Sequence, residues 1–269
     1  TIAYGAGKLY LSCPDTGKIH VINARTGEYI TKLDMTGVEG GAAKFCDIKY
    51  VGGKVVVSSI ANTSVNELKV YAWDNDAAAP KCILNTTMPT GYDRVGDTFY
   101  IKGDLNNGGI YYAGHNASGY NSIVCYPIVN GVVSTTATIT AIANNEINLG
   151  NAPRIVAENS GKYWVDGSRV QPMLLDADGQ VLATVPASAI YGNETAYTDG
   201  NAFKSFTFKG VTYGMATKFG ANFTNGSAAL FDASNGWADA LYINSYPLKG
   251  LGTTNLTTWS TSIEVAVNG

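Results

Sequence analysis

The chain has 269 residues, with 18 Lys and Arg against 21 Asp and Glu, a net charge of −3 and only 14% charged side chains. A nucleic-acid face needs clustered Lys and Arg that release counterions, and no short window here is basic enough to supply one; the same shortage rules out electrostatic capture by an anionic membrane surface. The 31 Gly and 17 Tyr, with much Thr, Asn and Ser and no apolar run near the length of a bilayer span, suit many strands joined by tight turns around one core.

The chain opens at Thr1 with neither Met nor a signal peptide, as expected of a mature or cropped protein. Lys8-Leu-Tyr-Leu-Ser12 reads as a strand, Pro14-Asp-Thr-Gly17 as a turn, and Lys18 to Asn23 as a strand of alternating polarity. Arg25-Thr-Gly27 turns the chain again before Glu28 to Leu33. A second unit repeats this plan with Asp47 to Tyr50, the Gly52-Gly53 turn, Lys54 to Ser58, Glu67 to Trp73 and Lys81 to Leu84. Its opening, Ile48-Lys-Tyr-Val-Gly-Gly-Lys-Val-Val-Val-Ser58, matches Ile2-Ala-Tyr-Gly-Ala-Gly-Lys-Leu-Tyr-Leu-Ser12 nearly position for position. Three further units follow, with strands from Thr98 to Thr140, from Arg154 to Val185 and from Ala202 to Ile243. The only short helical candidate is Ala141 to Glu146.

Each unit carries a polar hairpin turn, at Ile22-Asn-Ala-Arg-Thr-Gly27, Ala72-Trp-Asp-Asn-Asp76, Tyr126-Pro-Ile-Val-Asn-Gly131, Leu175-Asp-Ala-Asp-Gly179 and Phe231-Asp-Ala-Ser-Asn-Gly236. A period of roughly fifty residues made only of strands and turns predicts an all-β propeller of four-stranded antiparallel blades. The expectation is a single domain over 1–269, with blades near 1–36, 44–88, 97–140, 153–186 and 201–246. A last strand within 261–269 either closes the first blade, giving five, or begins a sixth.

Propeller ligands meet the connections that run from one blade to the next, here near 34–46, 85–97, 141–153, 187–201 and 245–261. The densest cluster is Tyr92, Asp93 and Arg94 with Asp97: two carboxylates, a guanidinium and a phenol that suit bidentate hydrogen bonding and ring stacking on a sugar. The same residues also read as an Asp93–Arg94 salt bridge at the blade entrance. Glu146 and Arg154 stand on another such connection, and Trp259 is the aromatic most suited to carbohydrate stacking on that face. His115, in Ala113-Gly-His-Asn-Ala-Ser-Gly119, is expected on a Gly-flanked loop, whereas His20 lies in a strand facing solvent or its neighbour. Trp73 and Trp164 are expected in the core and Trp237 at the outer edge.

No Gly-x-Ser-x-Gly elbow supports Ser-His-Asp hydrolysis. Convergence of Asp93, Glu146, Glu194 and Asp199 would instead give a polysaccharide hydrolase or lyase. The four cysteines show no metal-ligand spacing and are expected as buried, unpaired thiols. No cofactor is expected; calcium is the one ion to weigh, at Asp74-Asn-Asp76 or Asp104-Leu-Asn-Asn-Gly108, and Asx turns account for both without it.

The Thr/Asn/Gly-rich strands and Asp-Ala-x-x-Gly hairpins resemble secreted or lipid-anchored propellers of gut bacteria that have no assigned function, and more loosely the YVTN and NHL types of repeat. The resemblance covers essentially the whole chain and supplies no site residues. It implies an extracellular or cell-surface location in a bacterium and a role in adhesion or glycan capture. The expected function is therefore a binding module, probing a glycan or surface protein as a monomer with its channel face. The polysaccharide-active enzyme is the alternative.

Overall fold

The computed structural model describes residues 1–116, 121–150, 153–158, 161–167, 169–192, 202–218, 226–247 and 263. The alternation of the sequence becomes an alternation of burial. In β3 (Lys18–Asn23) Ile19 and Val21 point into the core while Lys18 and His20 point away from it. With β1 (Ile2–Gly5), β2 (Lys8–Cys13) and β4 (Tyr29–Lys32), β3 forms an antiparallel sheet in chain order.

The chain divides into two compact units, Thr1–Ala141 and Ile142–Gly269. After the first sheet, the first unit continues with β5 (Ala43–Val51), β6 (Lys54–Asn62), β7 (Glu67–Trp73), β8 (Lys81–Thr87) and β9 (Tyr92–Val95). Next come β10 (Tyr100–Gly103), β11 (Gly108–Asn116), β12 (Asn121–Val129), β13 (Val132–Val133) and β14 (Thr138–Ala141). The second unit holds one sheet of β15 (Arg154–Ala157), β16 (Tyr163–Gly167), β17 (Val170–Leu175) and β18 (Val181–Thr184). It also holds α1 (Ala187–Tyr191) and a sheet of β19 (Phe203–Phe208), β20 (Val211–Lys218), β21 (Ser227–Asp232) and β22 (Leu241–Pro247). These are all-β, four-stranded antiparallel sheets of the propeller-blade type. The internal sequence match holds in register, since Gly5 faces Lys8 in the first sheet as Val51 faces Lys54 in the second. The strand expected within 261–269 lies outside the described residues, apart from Ile263 alone.

Four sheets share one irregularity. Where the outermost strand leaves the hairpin turn it carries an extra residue over its partner: Ile30 on β4, Ile83 on β8, Leu182 on β18 and Ile243 on β22. Each is a β-bulge occupied by a large aliphatic side chain.

Two departures from the sequence expectation concern connections. Residues 92–95, expected in a connection, form β9; residues 187–191, also expected in a connection, form α1, whose Ala189, Ile190 and Tyr191 are buried. β9 pairs with both β6 and β11, so the second and third sheets become one ten-stranded sheet.

Three apolar clusters supply the core. Ala3, Tyr10, Ile19, Phe45, Ile48 and Trp73 pack in one; Val56, Leu68, Val95, Phe99, Ile110 and Tyr112 in a second. In the second unit Trp164 and Phe203 lie 4.4 Å apart between ring centres and pack with Ile190 and Phe231. Each fully buried aliphatic side chain contributes roughly 1.5–3 kcal/mol. Trp73 and Trp164 are core residues as expected; Trp237 is half-buried and sets its ring edge-on to Trp164 at 4.6 Å. All four cysteines are free thiols, but only Cys125 is buried, and Cys82 is exposed. Among the described residues no helix is long and apolar enough to cross a membrane.

Candidate functional site

β9 is a short strand fixed at both ends by glycine. Gly91 (φ +89°) ends the turn before it, and Gly96 (φ +110°) follows it. A side chain at Gly96 would come within 2.3 Å of the Ser59 carbonyl oxygen, so only glycine lets β9 approach β6 this closely. Between those points Arg94 stands opposite Asn62 of β6 and His115 of β11, and His115 in turn stands opposite Asn121 of β12. Cross-strand partners share a face of the sheet. The result is a row of four polar residues, Asn62, Arg94, His115 and Asn121, crossing four strands.

His115 pairs with Arg94 and Asn116 with Tyr92, so Asp93 is the extra residue of a bulge in β9. Alternation would send Asp93 to the opposite face from Arg94; the bulge turns it back. Its Oδ1 lies 2.5 Å from His115 Nδ1. His115 is therefore not on a loop. It is a strand residue with a carboxylate partner and a side chain only 17% exposed.

Arg94 pairs with Asp97 rather than with Asp93. Its Nε donates to both Asp97 oxygens at 2.7 and 3.0 Å, and Nη2 donates to Oδ1. These charge-assisted bonds hold the guanidinium above its usual range. The Asp97 side chain is 5% exposed and Arg94 37%, so a buried carboxylate anchors a half-open guanidinium. Tyr92 packs beneath the row. Its ring occupies the space a side chain at Gly114 would need, and its hydroxyl lies beside Ser122. Burial pushes the phenol up.

Tyr92, Asp93, Arg94, Asp97 and His115 are thus gathered at one place in the first unit. Glu146 and Arg154 belong to the second unit. Glu146 is exposed after a short 3-10 turn. Arg154 is buried in β15 opposite Asp166 of β16, whose carboxyl burial pushes up to about 6 although Arg154 pulls it down. Trp259, Glu194 and Asp199 lie outside the described residues. Asn62 is not among the site residues expected from the sequence, where it stands out only as the Asn of an Asn-Thr-Ser glycosylation triplet, because its place in the row depends on β9 joining two sheets.

The acidic turns have protein partners. Asp74 takes Lys54 at 2.6 Å and Lys81, which hold it down at about 2; Asp76 takes Lys8 and the Tyr10 hydroxyl. Asp104 accepts the backbone N–H groups of Asn106 and Asn107, both at 2.7 Å, in an Asx turn. Among the described residues no three His, Cys, Asp or Glu side chains come together as a metal site.

Successive four-stranded antiparallel sheets, with a polar cluster where two of them join, define an all-β protein of the propeller class. The chain belongs to the family described as domain of unknown function DUF4623, whose model matches residues 15–236. A DUF4623 protein from Bacteroides eggerthii has a similar crystal structure, with a TM-score of 0.68 at 19% identity, over 94% of this chain and 61% of that one. This chain therefore spans less than two thirds of that protein's length. A protein of unknown function from Bacteroides caccae is similar at a TM-score of 0.53 and 13% identity, over 90% of this chain and 80% of that one. CoXyl43, a GH43 β-xylosidase/α-arabinofuranosidase from a compost metagenome solved with xylotriose, gives 0.50 at 10% identity over 78% of each chain. At these identities the likeness is one of fold. No curated protein matches the chain.

Proposed function

We propose that this protein is a binding module acting outside the cell or at its surface, and that it recognises glycan through the row of Asn62, Arg94 and His115 with Asp93. The observation that carries this reading is the bulge at Asp93, which spends regular strand pairing to bring a carboxylate, an imidazole and a guanidinium onto one half-open face. Such a face offers donors and acceptors side by side, as polyhydroxyl recognition requires. Asp93 and Asp97 are each held by a basic partner, an arrangement that suits binding better than the split acid and base roles of glycoside hydrolysis. The xylotriose bound by CoXyl43 gives a distant precedent for sugar on this fold.

A hydrolase reading has one observation in its favour. Asp166, at about 6, has the raised value a general acid needs, but it is buried to 3% exposure against Arg154. The test is a glycan array probed with wild type and Asp93→Ala. Binding by wild type that falls with the substitution supports the proposal. Binding that is unchanged overturns the site, and the absence of any binding turns the reading toward a protein partner.

A further inference from the structure

The site's own charges and donors narrow its ligand. Arg94 spends Nε–H and one Nη2–H on Asp97, which leaves three of its five N–H groups without a partner among the described residues. Two of these lie parallel on the outer Nη1–Nη2 edge, the geometry that grips a pair of neighbouring oxygens. Beside it, Asp93 uses Oδ1 on His115, and its side chain is 31% exposed, so Oδ2 is offered as an acceptor. The imidazole, fixed through Nδ1, presents Nε2. The local count is Arg94 (+1) against Asp93 and Asp97 (−2), giving −1 with a neutral His115 and zero with an imidazolium. With both carboxylates ionised, these four side chains carry no net positive charge.

Resting on the glycan reading above, we infer that the ligand is a neutral sugar bearing adjacent hydroxyls, and that the site discriminates against uronic-acid and sulfated glycans. A vicinal diol both accepts from the Arg94 edge and donates to Asp93 Oδ2. A carboxylate or sulfate satisfies the guanidinium but places a second acceptor and a like charge against Asp93. At the few-ångström separations involved, that repulsion weakens binding by about tenfold or more.

The experiment compares mannan, glucan and galactan with their C6-oxidised uronate forms, which keep the 2,3-diol and differ in charge. Binding is measured by calorimetry at pH 7.5 in low and high salt. The expected result is binding of a neutral form, with its uronate form about tenfold weaker or worse and the gap narrowing in high salt. Asp93→Asn, which removes one of the two negative charges, should shrink that gap several-fold; an unchanged gap contradicts the inference. Uronate binding as tight as neutral binding overturns the inference and leaves the glycan reading standing. Failure of every sugar in both forms overturns the two together. Because Arg94→Ala would strand the buried Asp97, Arg94→Lys is the companion variant. It keeps the charge and loses the fork, and neutral-sugar affinity that survives it in a normally melting protein also overturns the assignment.

Discussion

His115 Nδ1 meets Asp93 Oδ1 because Asp93 is the residue that β9 carries in excess of β11. In this pair the imidazole donates from Nδ1 to the carboxylate, so its neutral form carries the proton there and leaves Nε2 as an acceptor. A long-range 1H–15N correlation spectrum should show the Nδ1–H tautomer in wild type. In Asp93→Ala the spectrum should move toward the mixture of a free imidazole. An Nε2–H tautomer in wild type contradicts the pairing.

Gly114 lets Tyr92 lie flat under the row. A methyl group there would sit 2.8 Å from the Tyr92 ring and 3.0 Å from Val124. Gly114→Ala is expected to cost about 1–3 kcal/mol in urea unfolding and to displace the Tyr92 ring. Glycan affinity should fall in the same variant. Unchanged stability and binding would show that the ring moves aside freely.

Asp166 should make stability depend on acid. Burial raises its folded value to about 6 from the ordinary 3.8, so the folded state binds the proton more tightly than the unfolded one. Its contribution is fully present below the unfolded value and is lost as pH rises through about 6. The unfolding free energy of wild type should therefore rise between pH 7 and pH 4 relative to Asp166→Asn, by an amount on the order of 2–3 kcal/mol. Parallel pH profiles for the two proteins would contradict this.

Trp73 is buried, and its indole N–H donates to the Asp34 carbonyl at 2.7 Å. Trp73→Phe removes that bond and leaves unfilled volume between the first two sheets. A loss of about 1–3 kcal/mol is expected in chemical denaturation, against about 3–5 kcal/mol for Trp73→Ala.

The strands were legible because alternation and turn chemistry act over a few residues. Ile19 and Val21 face inward as their spacing says, and the Lys8 and Lys54 hairpins match in space as in sequence. The site was half legible. Tyr92, Asp93, Arg94 and Asp97 stand together because they are neighbours in the chain. That Arg94 chooses Asp97, that His115 is a strand residue and that Asn62 joins them all follow from β9 lying between β6 and β11. That pairing is a long-range event carried by Gly96, whose only local sign is a glycine among many.

The bulges at Ile30, Ile83, Leu182 and Ile243 have a consequence for how the molecule survives at high concentration. A straight outer strand offers every free N–H and C=O in step, a template on which another copy can add and then another. An extra residue breaks that cadence just where the strand is richest in aliphatic side chains. Four of the outer strands carry the misfit along with the hairpin, so on these the repeat adds surface without adding a regular edge for fibril growth. Deleting Ile243 should restore the cadence on β22, and light scattering should register association at concentrations where wild type stays dispersed. In that sense the apparent flaw in the ladder works against the edge-to-edge addition of one β-rich chain to another.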